Sequence, residues 1–213
     1  MPDQIPQPTP VIHMTHVNNL ASIVAQGGLV STAMLLNAGT GHTNIAYNSI
    51  QQQRATKAVP CGPKGSLHDY VPFYFTRRSP MLYTIHRGNV SCVGGQEHII
   101  HLVTTAQQIS ALGLGFAFTD GHGIMAYTDF YDDLGNLDEI DWTVIRSNYW
   151  YDTEKDGDRK RRKQAEFLIR DRCPWTAISQ IVVRSQERAE QVTGIIAHLP
   201  HQPQVVVAPN WYY

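Results

Sequence analysis

The chain has 213 residues, of which 42% are hydrophobic and 16% charged, enough apolar content to bury a core and too little charge for a disordered chain. Its 17 basic and 18 acidic residues leave a formal net charge of −1, so any contact with nucleic acid has to come from a local basic patch and not from a global field. Three cysteines, Cys61, Cys92 and Cys173, lie far apart with no CxxC pair, which points away from a disulfide framework or a zinc ribbon.

In chain order, Ile5 to Pro10 is a proline-rich, extended lead-in, and Val11 to Thr15 reads as a short strand. His13, between apolar neighbours, reads first as a hydrogen-bonded core histidine and second as a donor to a ligand hydroxyl. Asn18 or Asn19 can cap a helix carrying Leu20, Ile23 and Val24, which Gly27 and Gly28 stop. Residues 35–57 are polar. Their second half, Ile45 to Arg54, has helical spacing but little apolar content, as a mobile flap would. Arg54 follows three glutamines and reads first as part of a solvated helix face.

Tyr70 to Phe75 is strongly strand-like, and Pro72 within it calls for a sheet edge or a bulge. His98 to Val103 and Phe116 to Phe118 are further strands. The HxxH pairs His13/His16 and His98/His101 would put their rings on opposite strand faces, a poor arrangement for one metal, and no metal is expected. His122, between two glycines, reads as an exposed turn residue. Residues 120–158 are rich in Gly, Asp, Tyr and Trp, with one helix expected near Trp142 to Trp150. A connection that long usually carries function.

Arg159 to Lys163 are five consecutive cations, by default a solvated stretch and otherwise a site for an anionic substrate. Gln164-Ala165-Glu166 then opens an apolar run. As a strand entered by a polar loop, its period of two puts Gln164 and Glu166 on one face. There Glu166 can handle a sugar hydroxyl and Gln164 a second polar group. A strand at Gln180 to Arg184, a helix near Glu187 to His198 and a strand at Val205 to Ala208 follow. Neither GxGxxG nor a Walker A loop is present. Helices and strands mix without a βαβ rhythm, so the fold class is α+β. No signal peptide is read, and no apolar run approaches the roughly 18 residues of a membrane span. The expectation is a soluble, cytoplasmic, monomeric protein of one domain, residues 1–213.

Several strings in order resemble the DarT toxins, ADP-ribosyltransferases that modify bases of single-stranded DNA. They are His13-Met14-Thr15-His16, Leu67 to Phe75, Arg78 to Tyr83, Gly94-Gly95-Gln96-Glu97, Phe118 to His122, Lys163 to Leu168 and Trp211-Tyr212-Tyr213. The thymidine-modifying branch is the closer match. The resemblance implies an ADP-ribosyltransferase fold, a split antiparallel sheet with NAD as co-substrate in the cleft. It places His13, Met14, Thr15, Ser22, Val30, Arg54, Tyr74 and Gln164 against NAD. Position 22 is glycine in the expected family pattern, and Ser22 adds a side chain there. Residues 35–57 become a flap over the dinucleotide and 122–166 the substrate-recognising loop. Tyr149, Trp150, Arg159, Arg161 and Lys163 are expected on the DNA, with Tyr127, Tyr131 and Tyr151 as further stacking surfaces. A macrodomain antitoxin that removes ADP-ribose from DNA is the implied partner.

The same resemblance makes Glu166, Arg54 and His122 catalytic. Glu166 would bind the ribose 2′-hydroxyl and steady the oxocarbenium-like sugar, about 4 kcal/mol for a carboxylate ~4 Å from unit charge at an effective dielectric near 20. Thymine must lose its N3 proton. A free guanidinium has a pKa above about 12, so using one as base at pH 7 costs roughly 7 kcal/mol. Either Arg54 takes the proton, or it stays charged and His122 does. Two other readings stand beside this one: a protein-directed ADP-ribosyltransferase or NAD glycohydrolase, and a non-catalytic single-strand-binding protein.

Overall fold

The computed structural model describes residues 4–213 apart from 40, 44, 46 and 91. The part of the expected flap that falls on 40, 44 and 46 lies outside the described residues. β1 (Pro10–His16) runs into a 3-10 turn and α1 (Leu20–Ala25), which stops at Gly27, where φ is +74°. β2 (Gly28–Val30) follows, then α2 (Thr32–Asn37) and α3 (Asn48–Thr56). Gly28 is required by close approach: a Cβ there would lie 2.2 Å from the Cys173 carbonyl oxygen. The helix expected from Ile45 begins instead at Asn48. Asn19 precedes α1 without capping it, because its side chain is engaged elsewhere, while the His16 ring accepts from the Asn18 N–H.

The chain continues through β3 (Tyr70–Tyr74), α4 (Pro80–His86), β4 (Ile99–Thr105), α5 (Ala106–Ala111), β5 (Phe116–Thr119) and β6 (Phe130–Tyr131). After α6 (Trp142–Arg146) and α7 (Arg159–Arg162) come β7 (Glu166–Arg170), β8 (Arg172–Pro174), β9 (Gln180–Val183), α8 (Gln186–Ile196) and β10 (Gln204–Val207). The described strands form an eight-stranded sheet in the order β10-β9-β4-β1-β3-β7-β5-β6, with β2 and β8 as a separate ribbon. All of its pairings but β9 with β10 are antiparallel.

The sheet is split. β1 pairs with β4 along its whole length and β3 with β7 along its whole length, yet β1 and β3 meet in register only at Ile12 and Tyr74. Pro72 explains part of this. It lies in a strand that is central by order but open on the β1 side. Its carbonyl there accepts from His13 Nδ1 at 2.8 Å, and its missing N–H leaves no donor stranded in the gap. Beneath β7, the Phe75 ring meets Phe118, Phe167 and Trp142 edge-on at 5.7–6.2 Å between centroids, in the main hydrophobic core. Emptying such a site costs about 3–5 kcal/mol, so the strand that starts with Glu166 rests on a rigid base.

Two sequence expectations are corrected here. The helix expected over 142–150 ends at Arg146, because the buried Lys163 ammonium takes the carbonyls of Val144, Ile145 and Ser147 at 3.2, 2.7 and 2.6 Å. Gln164 is outside the strand. It closes the helical turn of α7, its backbone N–H donating to the Arg161 carbonyl, so it and Glu166 do not share a strand face.

Candidate active site

The split between β1 and β3 opens into a cleft. His13, Met14 and Thr15 of β1, Ser22 of α1, Val30 of β2, Arg54 of α3 and Tyr74 of β3 all line it. Seven of the eight residues expected against the dinucleotide are thus brought together from five elements. Gln164 is not among them: it lines a second, adjoining cavity, its amide donating to the Lys160 carbonyl at 3.0 Å. The extra hydroxyl of Ser22 is tied back by the Gln26 amide at 2.8 Å.

His13 is both of the things its sequence context allowed. It is a satisfied histidine of the sheet and it faces the cleft. Burial lowers its pKa to about 4 against the pull of the Pro72 carbonyl, so the ring is neutral. A carbonyl can only accept, so the proton sits on Nδ1 and Nε2 is left as an acceptor. The expected donor to a ligand hydroxyl is therefore an acceptor from one. His16 is fully buried and uses both ring nitrogens, on the Asn18 N–H and the Val93 carbonyl. His16 is structural, and His13 alone of the pair reaches the cleft.

Asn19 is a site residue the sequence reading took only for a helix cap. Its amide donates to Thr15 Oγ1 at 3.1 Å and to the Thr43 carbonyl at 3.0 Å, and its oxygen accepts the Thr43 N–H at 2.8 Å. It ties the segment between α2 and α3, from which Thr43 and Ile45 line the cleft ahead of Ile50 and Gln51 of α3, to Thr15 of β1.

The carboxylate of Glu166 is 0% exposed and Arg54 is 7% exposed, against the expectation of a solvated arginine. Arg54 Nη1 meets Glu166 Oε2 at 2.8 Å, and the Gly123 N–H donates to Oε1 at 3.0 Å. The Glu166 N–H is in turn held by Thr119 Oγ1 at 3.0 Å. Arg54 Nη2 is buried and has no hydrogen-bond partner among the described residues. A buried guanidinium donor of that kind is expensive unless something fills it, and it belongs to a side chain that lines the cleft. Tyr74 pairs directly with Glu166 across β3 and β7, and burial, reinforced by the Glu166 charge, pushes its hydroxyl far up, so it remains a neutral phenol.

The second cavity shares five wall residues with the first: Ile45, Ile50, Tyr74, Met81 and His122. His122 is half-buried, not an exposed turn residue. Its N–H donates to the Arg161 carbonyl at 3.0 Å and its carbonyl accepts Thr128 Oγ1 at 2.8 Å. Burial lowers its pKa, with the Glu166 carboxylate pulling the other way.

The five-cation run is mostly spent inside the protein. Arg161 pairs with Asp120 at 2.7 Å and Asp158 at 2.8 Å, and Arg162 with Asp141 and Asp156. Arg159 reaches Asp156 and the Tyr149 carbonyl. Lys163, expected on DNA, is buried among the α6 carbonyls and cannot reach a phosphate. Lys160, like Lys163, has no ion pair among the described residues, and unlike Lys163 it faces the second cavity. Of the expected stacking residues, Tyr149 is 67% and Tyr151 56% exposed, and Tyr127 lines the second cavity under the Arg161 guanidinium at 5.2 Å. Trp150 turns inward onto Tyr83 and Tyr213, and Tyr131 stacks on Phe118.

Residues 12–213 match the sequence profile of the family described as "ssDNA thymidine ADP-ribosyltransferase, DarT". A DNA ADP-ribosyl transferase of Thermus sp. (strain 2.9) is 42% identical over 210 residues, 98% of each chain. Among solved structures, Thermus sp. 2.9 DarT with ADP-ribosylated single-stranded DNA is 41% identical and covers 100% of both chains at a TM-score of 0.93. The same protein with NAD+ gives 0.87 at 39% identity, over 99% of this chain and 100% of that one. A DNA ADP-ribosyl transferase–DNA ADP-ribosyl glycohydrolase fusion protein of Thermosipho africanus is 26% identical over 86% of this chain and 45% of its own length.

Proposed function

The chain belongs to the DarT family of DNA ADP-ribosyltransferases, and we propose how its own residues divide the work. The enzyme uses NAD as co-substrate and transfers ADP-ribose to thymidine in single-stranded DNA. The observation that carries the assignment of roles is the buried Arg54–Glu166 pair, whose arginine lines the first cavity together with His122, a residue that also lines the second. The split-sheet cleft takes NAD, under the flap of residues 35–57. The second cavity takes the thymine, and the loop of residues 122–166 forms its rim.

The C1′–nicotinamide bond breaks with its electron pair going to nicotinamide. Glu166 accepts the ribose 2′-hydroxyl and offsets the charge left on the sugar. Arg54, already a cation in an ion pair, turns its unused Nη2 to the thymine and stabilises the anion formed at N3. His122, neutral and lining both cavities, takes the N3 proton, and N3 closes the new bond to C1′. His13 Nε2 accepts from a hydroxyl of the dinucleotide. A single strand spares the few kcal/mol needed to flip a paired base. N3 lies on the pairing edge of thymine, so the modified base cannot template replication, which makes the activity toxic.

The Thermosipho relative joins transferase and glycohydrolase in one chain. The partner proposed here is a separate macrodomain antitoxin that removes the ADP-ribose. No helix among the described residues is long and apolar enough to cross a membrane. NAD and DNA are both cytoplasmic, where this enzyme is placed as a monomer of one catalytic domain. Labelled NAD incubated with oligonucleotide, with protein acceptors or with neither tests the assignment. Label on protein alone, or free ADP-ribose without DNA label, would move the chain to a protein-directed transferase or a glycohydrolase.

A further inference from the structure

The sequence Tyr149-Trp150-Tyr151 alternates out, in, out. The two tyrosines are 67% and 56% exposed, while the Trp150 ring stands edge-on to Tyr83 of α4 at 5.4 Å. Its indole N–H donates to the Tyr213 hydroxyl at 2.9 Å, which in turn donates to the Arg78 carbonyl at 3.3 Å. Burial raises the Tyr213 pKa, so this hydroxyl keeps its proton and can accept and donate at once. Tyr213 itself is held three ways. Its ring lies edge-on to Tyr83 at 5.1 Å, the Arg78 guanidinium sits 5.4 Å from its centroid, and the buried Gln96 side chain takes both its backbone N–H and its carbonyl.

This cluster, just outside the second cavity, links two of the segments that line it. One is α4, through Pro80, Met81 and Thr84, and the other is the segment after Trp150, through Asp152, Gly157 and Asp158. The start of that segment is pinned by Lys163 on the Ser147 carbonyl and by Arg159 on the Tyr149 carbonyl. Trp150 is the side chain that ties it back to α4.

We propose that Trp150 and Tyr213 form a positioning clamp: their hydrogen bond holds the loop at 147–158 against α4 and so sets the width of the acceptor cavity and the placement of Tyr149 and Tyr151. The clamp acts on the DNA substrate and not on NAD. It rests on the DNA-transferase reading, and neither residue touches the reacting atoms.

The test is steady-state transfer to a thymidine-containing oligonucleotide, varying DNA and NAD separately, with Tyr213→Phe, Trp150→Phe and the double variant. Tyr213→Phe removes one oxygen and keeps the ring. The clamp predicts a KM for DNA raised about threefold to tenfold, the range of one lost hydrogen bond. The KM for NAD stays within twofold, and the double variant is no worse than the poorer single one, because both open the same bond. Should Tyr213→Phe fail to fold, Trp150→Phe opens the bond from the other side and is read the same way. An unchanged KM for DNA, an equal rise in both KM values, or fully additive losses would overturn the clamp. A wild-type enzyme that leaves the oligonucleotide unlabelled instead overturns the transferase reading, and the clamp with it.

Discussion

Arg54 and Glu166, 112 residues apart in the chain, form a buried ion pair at 2.8 Å. Both oxygens of the carboxylate are taken, one by the guanidinium and one by the Gly123 N–H. The group proposed to steady the sugar cation is thus held in place before substrate arrives, which is the condition for electrostatic preorganisation. The guanidinium holds the carboxylate with one nitrogen, and its other, Nη2, has no partner among the described residues and is the donor proposed for the acceptor.

That division needs a planar fork, so Arg54→Lys should fail although it keeps the charge. A lysine ammonium cannot hold Glu166 and a thymine anion in the same plane. The expected result is transfer reduced about a hundredfold to a thousandfold, the range for a lost transition-state donor, with NAD affinity read separately because Arg54 also lines the NAD cleft. Single-turnover rates and NAD titration check this. Near-normal transfer by the lysine enzyme would mean that Arg54 supplies charge alone.

His122 as proton acceptor sets the acid side of the pH–rate profile. Its pKa is lowered from 6.5 by burial, so the rate of transfer should climb with pH through a titration below 6.5 and then level. In His122→Ala that limb should vanish and the plateau fall about a hundredfold, the lower range for a lost general base. If the limb survives in the variant, another group takes the N3 proton.

Lys160 and Lys163, three residues apart, should behave oppositely. Lys160 faces the acceptor cavity without an ion pair, so Lys160→Ala should reduce the slope of log K against log salt by about 0.7, the loss of one phosphate contact to a single strand. Lys163 serves three carbonyls in the interior, and burial, with Arg159 and Arg78 nearby, lowers its pKa to about 8. Lys163→Met should leave the salt slope alone and cost about 1–3 kcal/mol of stability, from carbonyls left unsatisfied. Salt titrations of DNA binding and denaturant melts separate the two.

This pair also marks how far the sequence could be read. The strands declare themselves by apolar runs at β1, β3, β4 and β7, and Pro72 announced an open edge that became the cleft. The residues expected against the dinucleotide came from family resemblance, and seven of the eight line one cavity. The cations of 159–163 look alike in sequence because their partners are remote: Asp120 and Asp141 come from earlier loops, and the α6 carbonyls carry no side-chain signature. Asn19 was hidden because an asparagine before an apolar helix has the pattern of a cap whatever its side chain touches. Gln164 was misplaced because the three-residue turn between Arg162, the end of α7, and Glu166, the start of β7, is invisible to period-two counting.

Acid should weaken the fold through two buried histidines. Burial lowers His13 to about 4 and, with His13 as a smaller cause, His101 to about 3. The unfolded chain protonates both rings near pH 6.5, so it takes up protons first and stability falls as pH drops below that value. Each ring contributes up to about 1.4 kcal/mol per pH unit, levelling below its folded pKa. Both nitrogens of His101 are buried without partners among the described residues, so His101→Phe keeps the shape and removes the titration. Denaturant melts between pH 6 and 4.5 should show the slope reduced by about that amount. An unaltered slope would mean that His101 is protonated in the fold.

The most direct test of the whole account is mass spectrometry of mixed single-stranded oligonucleotides incubated with NAD and either the native enzyme or Glu166→Gln. The account predicts an ADP-ribose adduct on thymine with the native enzyme, and a rate lower by about a hundredfold or more with a folded Glu166→Gln. An adduct formed at the normal rate by the variant would contradict the role of Glu166, and the absence of any thymine adduct from the native enzyme would contradict the reaction itself.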